Sequence, residues 1–149
     1  MRMTLNRRRR TGSVLVEFTL SATFLIALFL GVWQFGYGFF IYNELEESVR
    51  AGARYASLGT YNSANGTPTA SFLSSVQNVV VYGNPAGGTT PVAPGLTTAN
   101  VSLTVTFTSV PTTMTVAITN YSVPTYFGNQ TLSGKPTTSF PFVGVFGPP

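Results

Sequence analysis

The sequence predicts an α+β chain: one long N-terminal helix, transmembrane and then water-exposed, followed by a small antiparallel β-rich domain. Three observations carry that reading. Residues Phe18 to Asn43 form a stretch of 26 without a charge, placed just after five arginines in the first ten positions. Helical periodicity continues past that stretch to Leu58. Residues 60–149 then change character, to Thr, Ser, Asn, Gly and Pro with alternating apolar segments.

The uncharged stretch spans roughly 39 Å as a helix at ~1.5 Å per residue. A hydrocarbon core of about 30 Å is crossed by that length with some tilt. Trp33, Tyr37 and Tyr42 fall in its second half, where an interfacial aromatic belt belongs. Arg7, Arg8, Arg9 and Arg10, with Arg2 before them, act as a topology signal that keeps the N-terminus cytoplasmic.

Beyond the span, Leu45, Val49, Gly52 and Ala56 recur at steps of four, three and four and make a narrow apolar stripe. Glu46 precedes Arg50 by four residues, and Glu47 precedes Arg54 by seven, off that stripe. Such an acid-to-base pair at four residues stabilises a helix by a few tenths of a kcal/mol. Gly59 is the expected stop. One helix from Ser13 to Leu58 is therefore expected, after a basic leader of residues 1–12.

In residues 59–149, Phe72, Leu73, Val76, Val79 and Val80 fit a short helix, although "VVVY" at its end also reads as a strand. The stretch "NPAGGTTPVAPG" (84–95) reads as a loop. The clearest strand is "VSLTVTFT": Val101, Leu103, Val105 and Phe107 share one face, and Ser102, Thr104, Thr106 and Thr108 the other. Met114, Val116 and Ile118 repeat the alternation beyond Pro111, so a hairpin around "SVPTT" is expected. One or two further short strands are expected in "TYFGNQTLSGKPTTSFPF". The tail "GVFGPP" carries no evident signal. About 90 residues build only a marginal core, which packing on the long helix would reinforce.

Composition narrows the functional classes. The chain has 149 residues, net charge +4, no cysteine and no histidine. Thiol chemistry, the usual transition-metal ligands and a histidine general base are therefore absent. After Arg54 the sole charge is Lys135. Nucleic-acid binding needs basic side chains spread over a face, and none is expected here. No nucleophile has a visible base, and no cofactor or metal site is implied, so no enzymatic activity is expected. Four Asn-x-Ser/Thr patterns begin at Asn65, Asn100, Asn120 and Asn129, at a frequency this composition produces by chance. The apolar run is too long for the 7–15-residue core of a cleaved secretory signal.

One residue sits badly in the span. Glu17 is a carboxylate near its start, and ionised carboxylates cost about 2.5–3.5 kcal/mol at the centre of a span. Near the cytoplasmic end it can snorkel to the headgroups. A second explanation depends on register: if the chain is cut after Gly12, Ser13 becomes the first residue and Glu17 the fifth. A basic leader, a Gly, four small or apolar residues and then "EF" resembles the processing site of a type IV prepilin. The segment "VWQFGYGFFIYNELEESVRAGARYAS" resembles more narrowly the TadE-like pseudopilins of the Tad (Flp) pilus system. That resemblance covers roughly residues 8–58.

The resemblance implies a bacterial inner-membrane protein with a single span and a periplasmic or exposed C-terminal domain. It implies cleavage between Gly12 and Ser13 by prepilin peptidase. It also implies assembly contacts made by Glu17 and Phe18, in which Glu17 pairs with a subunit's new N-terminal amine. Prepilin peptidase, other pilins or pseudopilins of the Tad system and the lipid bilayer are the implied partners. Major Flp pilins are shorter, so a minor component is expected, with a structural role in pilus biogenesis. Arg50, Gly52 and Arg54 are candidates for a partner-contact face on the outer helix. The alternative reading is an uncleaved signal-anchored envelope protein whose β-rich domain binds another envelope component or a polysaccharide.

Overall fold

A computed structural model describes residues 7–125 and 128–148, with the side chains of residues 7–11 outside that description. Arg2, the Arg7–Arg10 side chains and the expected strand residues Tyr126 and Phe127 therefore lie outside the described residues. The chain forms two compact units, Met1–Tyr37 and Gly38–Pro149.

Helix α1 covers Arg7–Leu58 and contributes to both units. It begins earlier than the leader boundary at Gly12 implied, because arginine is a good helix former and nothing in "RRRRTG" stops the helix. In the first unit the apolar side chains from Val14 to Phe35 are exposed. The two threonines in that stretch satisfy themselves: Thr19 Oγ1 donates to the Leu15 carbonyl and Thr23 Oγ1 to the Thr19 carbonyl, each at 2.8 Å. Back-bonded hydroxyls of this kind lower the cost of a polar side chain in an apolar medium.

Within the second unit, α1 is not water-exposed all round. Ile41, Leu45, Ser48, Val49, Gly52, Ala53, Ala56 and Ser57 are buried, a stripe about twice as wide as the four-residue pattern. The small residues Ser48, Ala53 and Ser57 widen it, and they are invisible to a search for large apolar side chains. The two serine hydroxyls are spent on the helix itself, Ser48 Oγ on the Leu45 carbonyl and Ser57 Oγ on the Arg54 carbonyl, both at 2.9 Å.

Strand β1 is Thr60–Tyr61, and helix α2 is Ala70–Tyr82. "VVVY" is thus the last turn of a helix. Val76, Val79 and Val80 fall on one buried side with Phe72, and Gly83, at φ 70, closes the helix by donating to the Val79 carbonyl at 2.9 Å. A 3₁₀ turn, Thr98–Asn100, leads into β2, Val101–Phe107. Strand β3 is Pro111–Ile118, β4 Tyr121–Val123, β5 Gln130–Leu132, β6 Thr137–Pro141 and β7 Val145–Phe146.

Strands β2, β3 and β6 form an antiparallel sheet in that order. Its register sets Val101 opposite Ile118, Leu103 opposite Val116 and Val105 opposite Met114. The apolar members therefore share the core face, and Thr104, Thr106, Thr113 and Thr115 share the other. A bulge between Thr106 and Phe107 absorbs the turn. β4 pairs antiparallel with β5, and β1 pairs parallel with β7. The Asn100 amide donates to the Thr119 and Asn120 carbonyls at 3.3 and 3.0 Å, and the Asn65 side chain accepts from the Thr67 amide at 2.8 Å. Both asparagines thus hold turns together.

The C-terminal "FVGVF" has a strand's alternation: Phe142, Gly144 and Phe146 face inward, while Val143 and Val145 face solvent. It docks on the end of α1. The Val143 amide donates to the Ser57 carbonyl at 3.0 Å, and the Gly147 amide to the Tyr61 carbonyl at 3.1 Å. Tyr61 is fully buried, with ring centroids of Phe72, Phe142, Phe107 and Phe146 at 5.6, 6.3, 6.5 and 6.5 Å. Its hydroxyl donates to the Asn65 carbonyl at 2.8 Å. Burial pushes the Tyr61 phenol above 10.0, and a hydrogen bond with Ser63 opposes that shift in part.

Candidate functional site

Gly12, Ser13, Glu17 and Phe18 all lie on the first unit's part of α1, and all four are exposed. Ser13 and Glu17 are one helical step of four apart, so they occupy the same face about 6 Å apart along the axis. Space around Gly12 is open: a Cβ added there would meet no heavy atom within 4 Å. Glu17 has no ion-pair partner among the described residues. The helix that carries this group has a window of mean hydropathy 2.1 and is long and apolar enough to cross a membrane. Phe29 and Trp33 stack along it at 6.5 Å.

The expected partner-contact residues of the outer helix are not on one face. Arg50 and Arg54 are exposed, whereas Gly52 is buried against α2. A Cβ on Gly52 would overlap Val80 Cγ2 and approach the Val76 carbonyl to 3.7 Å. The expected Glu46–Arg50 pair is present at 2.8 Å. Glu47 and Arg54 are both exposed and make no ion pair among the described residues. No group of three or more acidic, histidine or cysteine side chains that could hold a metal occurs among the described residues.

Two features were not anticipated from the sequence. The docked tail joins residues more than 80 positions apart in sequence, and the aromatic cluster gathers Tyr61, Phe72, Phe107, Phe142 and Phe146 from separate elements. The alternation in "FVGVF" was the available cue to the first, and the second had none.

Residues 12–54 match the family model described as TadE-like protein. The match starts at Gly12, includes Glu17 and Phe18, runs through the apolar stretch and ends at Arg54. No curated protein matches the chain, and no solved structure does. The resemblance read from "EF", the apolar helix and "RAGAR" is thus shared by the family model over residues 12–54, and the N-terminal helix of this chain is similar to that of TadE-like proteins.

Proposed function

We propose that this chain is a minor, pseudopilin-like component of a Tad-type pilus assembly system. It is made as a precursor, cut between Gly12 and Ser13 by prepilin peptidase, and acts structurally. Its apolar helix anchors it in the inner membrane, with the second unit on the periplasmic side. The observation that carries the reading is the family match over residues 12–54, whose first residue is the glycine of the processing motif.

Charge explains the motif. Cleavage leaves a positive amine on Ser13 in an apolar medium, and Glu17, four residues on, is a carboxylate in the same medium. Each alone is costly, and a close pair loses less than two separate ions. The pair forms within one helix or between the Glu17 of one subunit and the amine of a neighbour. The exposed side chains between Val14 and Phe35 supply the surface on which such helices pack in lipid. In this reading the protein performs no catalysis.

The test is the N-terminal sequence and intact mass of the membrane-extracted protein, from cells with and without prepilin peptidase. A chain that starts at Ser13 only when the peptidase is present is the expected result. A chain that keeps its arginines in both strains would leave the plain signal-anchored reading in place.

A further inference from the structure

Beside α1, the second unit has an open groove of about 510 Å³. Its walls include Glu47, Arg50, Arg54 and Leu58 from the helix, and Phe140, Pro141 and Val143 from the end of β6 and the segment after it. Three further observations bear on what fits there.

The first is an unpaired sheet edge. The order β2-β3-β6 gives β6 a neighbour on one side. The Ile118 amide donates to the Pro136 carbonyl at 3.0 Å, and the Phe142 amide to the Thr112 carbonyl at 2.9 Å. Even-numbered residues of this segment therefore face β3, and alternation turns the main-chain groups of Thr137, Ser139 and Pro141 outward. Those groups make no main-chain hydrogen bond to another described residue. Prolines at both ends keep the free ladder short, which limits nonspecific strand pairing.

The second is charge. Arg50 is held by Glu46, but Arg54 has no ion-pair partner among the described residues. Glu47, at the other end of the groove wall and also without an ion pair among the described residues, lies seven residues before it, roughly 10 Å along the helix axis, so the positive charge that a carboxylate would meet is confined to the Arg54 end. The third is exposed apolar surface beside that cation: Leu58 and Val143 are 58% and 67% accessible.

From these we infer that the groove receives an extended, acidic peptide segment of a partner protein. The segment adds to the outer edge of β6 through the main chains of Thr137 and Ser139. Its apolar side chains lie on Leu58, Phe140, Pro141 and Val143, and its carboxylate pairs with the Arg54 guanidinium. Strand addition supplies binding through the main chain, and the fork of the guanidinium selects the carboxylate. This goes beyond the pilus reading and does not depend on cleavage at Gly12.

The experiment selects a phage-displayed library of random octapeptides on the full chain in lipid nanodiscs. Enrichment of peptides that alternate apolar residues and carry Asp or Glu at a fixed position is expected. Their binding should fall about ten- to a hundredfold in Arg54→Ala, the range set by a hydrogen bond to a charged group. Arg54→Glu should instead select Lys- or Arg-bearing peptides. A bound peptide should slow amide exchange at Thr137 and Ser139, and Ser139→Pro, which removes an outward main-chain donor together with the 2.8 Å hydroxyl contact to Thr115 of β3, should weaken binding where Ser139→Ala, which loses only that contact, does not. Selection of uncharged or basic peptides by the natural chain, equal binding by Arg54→Ala, or unchanged exchange at Thr137 and Ser139 would each overturn the proposal.

Discussion

Gly52 lies so close to Val80 that a methyl group on its α-carbon would overlap the valine's Cγ2. The contact joins the outer part of α1 to α2, and it uses a residue that helix propensity alone disfavours. Gly52→Ala should gain up to ~1 kcal/mol in propensity and lose about 1–3 kcal/mol to overpacking. Val80 is β-branched and stiff at χ1, so it cannot rotate away cheaply. A net loss of stability is expected from urea unfolding midpoints, and the double variant Gly52→Ala, Val80→Ala should recover part of it. A stabilised single variant would contradict the close contact.

A second close approach sits at the C-terminal end of α1. A Cβ on Gly144 would collide with the Gly59 carbonyl oxygen and come within 3.0 Å of the Leu58 carbonyl oxygen. Backbone cannot swing aside as a side chain can. Gly144→Ala should therefore loosen the β1–β7 pairing and speed amide exchange at Val143 and Gly147. Gly147→Ala is the control, since a Cβ there meets nothing within 4 Å; comparable exchange rates in the two variants would refute the account.

Tyr61 predicts a pH dependence. Its phenol is raised above 10.0, chiefly by burial. The folded state then holds the proton more tightly than the unfolded state. The stabilisation is complete below about pH 10, the unfolded value, and is lost as pH rises through the folded value. Tyrosinate absorbance should show a late ionisation, from Tyr61, that coincides with unfolding. Tyr61→Phe should abolish that coincidence and lower stability at neutral pH by about 0.5–1.5 kcal/mol, for the lost bond to the Asn65 carbonyl.

The Glu46–Arg50 pair is well formed at 2.8 Å, yet both side chains are well exposed. Arg50→Ala should cost no more than about 0.5 kcal/mol, and less in high salt. A larger loss, read from unfolding midpoints at two salt concentrations, would mean that the pair is part of a buried network.

Glu17→Ala should leave membrane insertion intact, because it removes an unfavourable group from the span. In the proposed reading it should impair incorporation into the pilus assembly, measured as the fraction of the processed chain recovered with sheared surface material. Normal incorporation would remove the role given to the carboxylate.

Much of this was legible from local pattern. The long apolar helix is a matter of composition, and β2 and β3 follow from strict alternation in "VSLTVTF" and "MTVAI". α2 was half legible: its helical spacing and its β-branched end pointed different ways, and packing of Phe72, Val76 and Val80 resolved the conflict. Gly52 was read both as part of the apolar stripe and as a candidate for contact with a partner, and it packs on Val80. The docked tail escaped notice because its partners, Ser57 and Tyr61, lie more than 80 residues away.

The sequence by itself determined the charge asymmetry, the apolar helix, the processing-like motif around Gly12 and Glu17, and the main hairpin. Each rests on interactions within one segment or between neighbours in sequence, where spacing and residue type suffice. Tertiary structure alone decided how wide the buried stripe of the outer helix is, that the C-terminal segment closes on the end of α1, and that β6 has a strand neighbour on one side only among the described residues. Those outcomes depend on shape complementarity and on main-chain hydrogen bonds between distant segments, and main-chain groups are the same at every residue but proline.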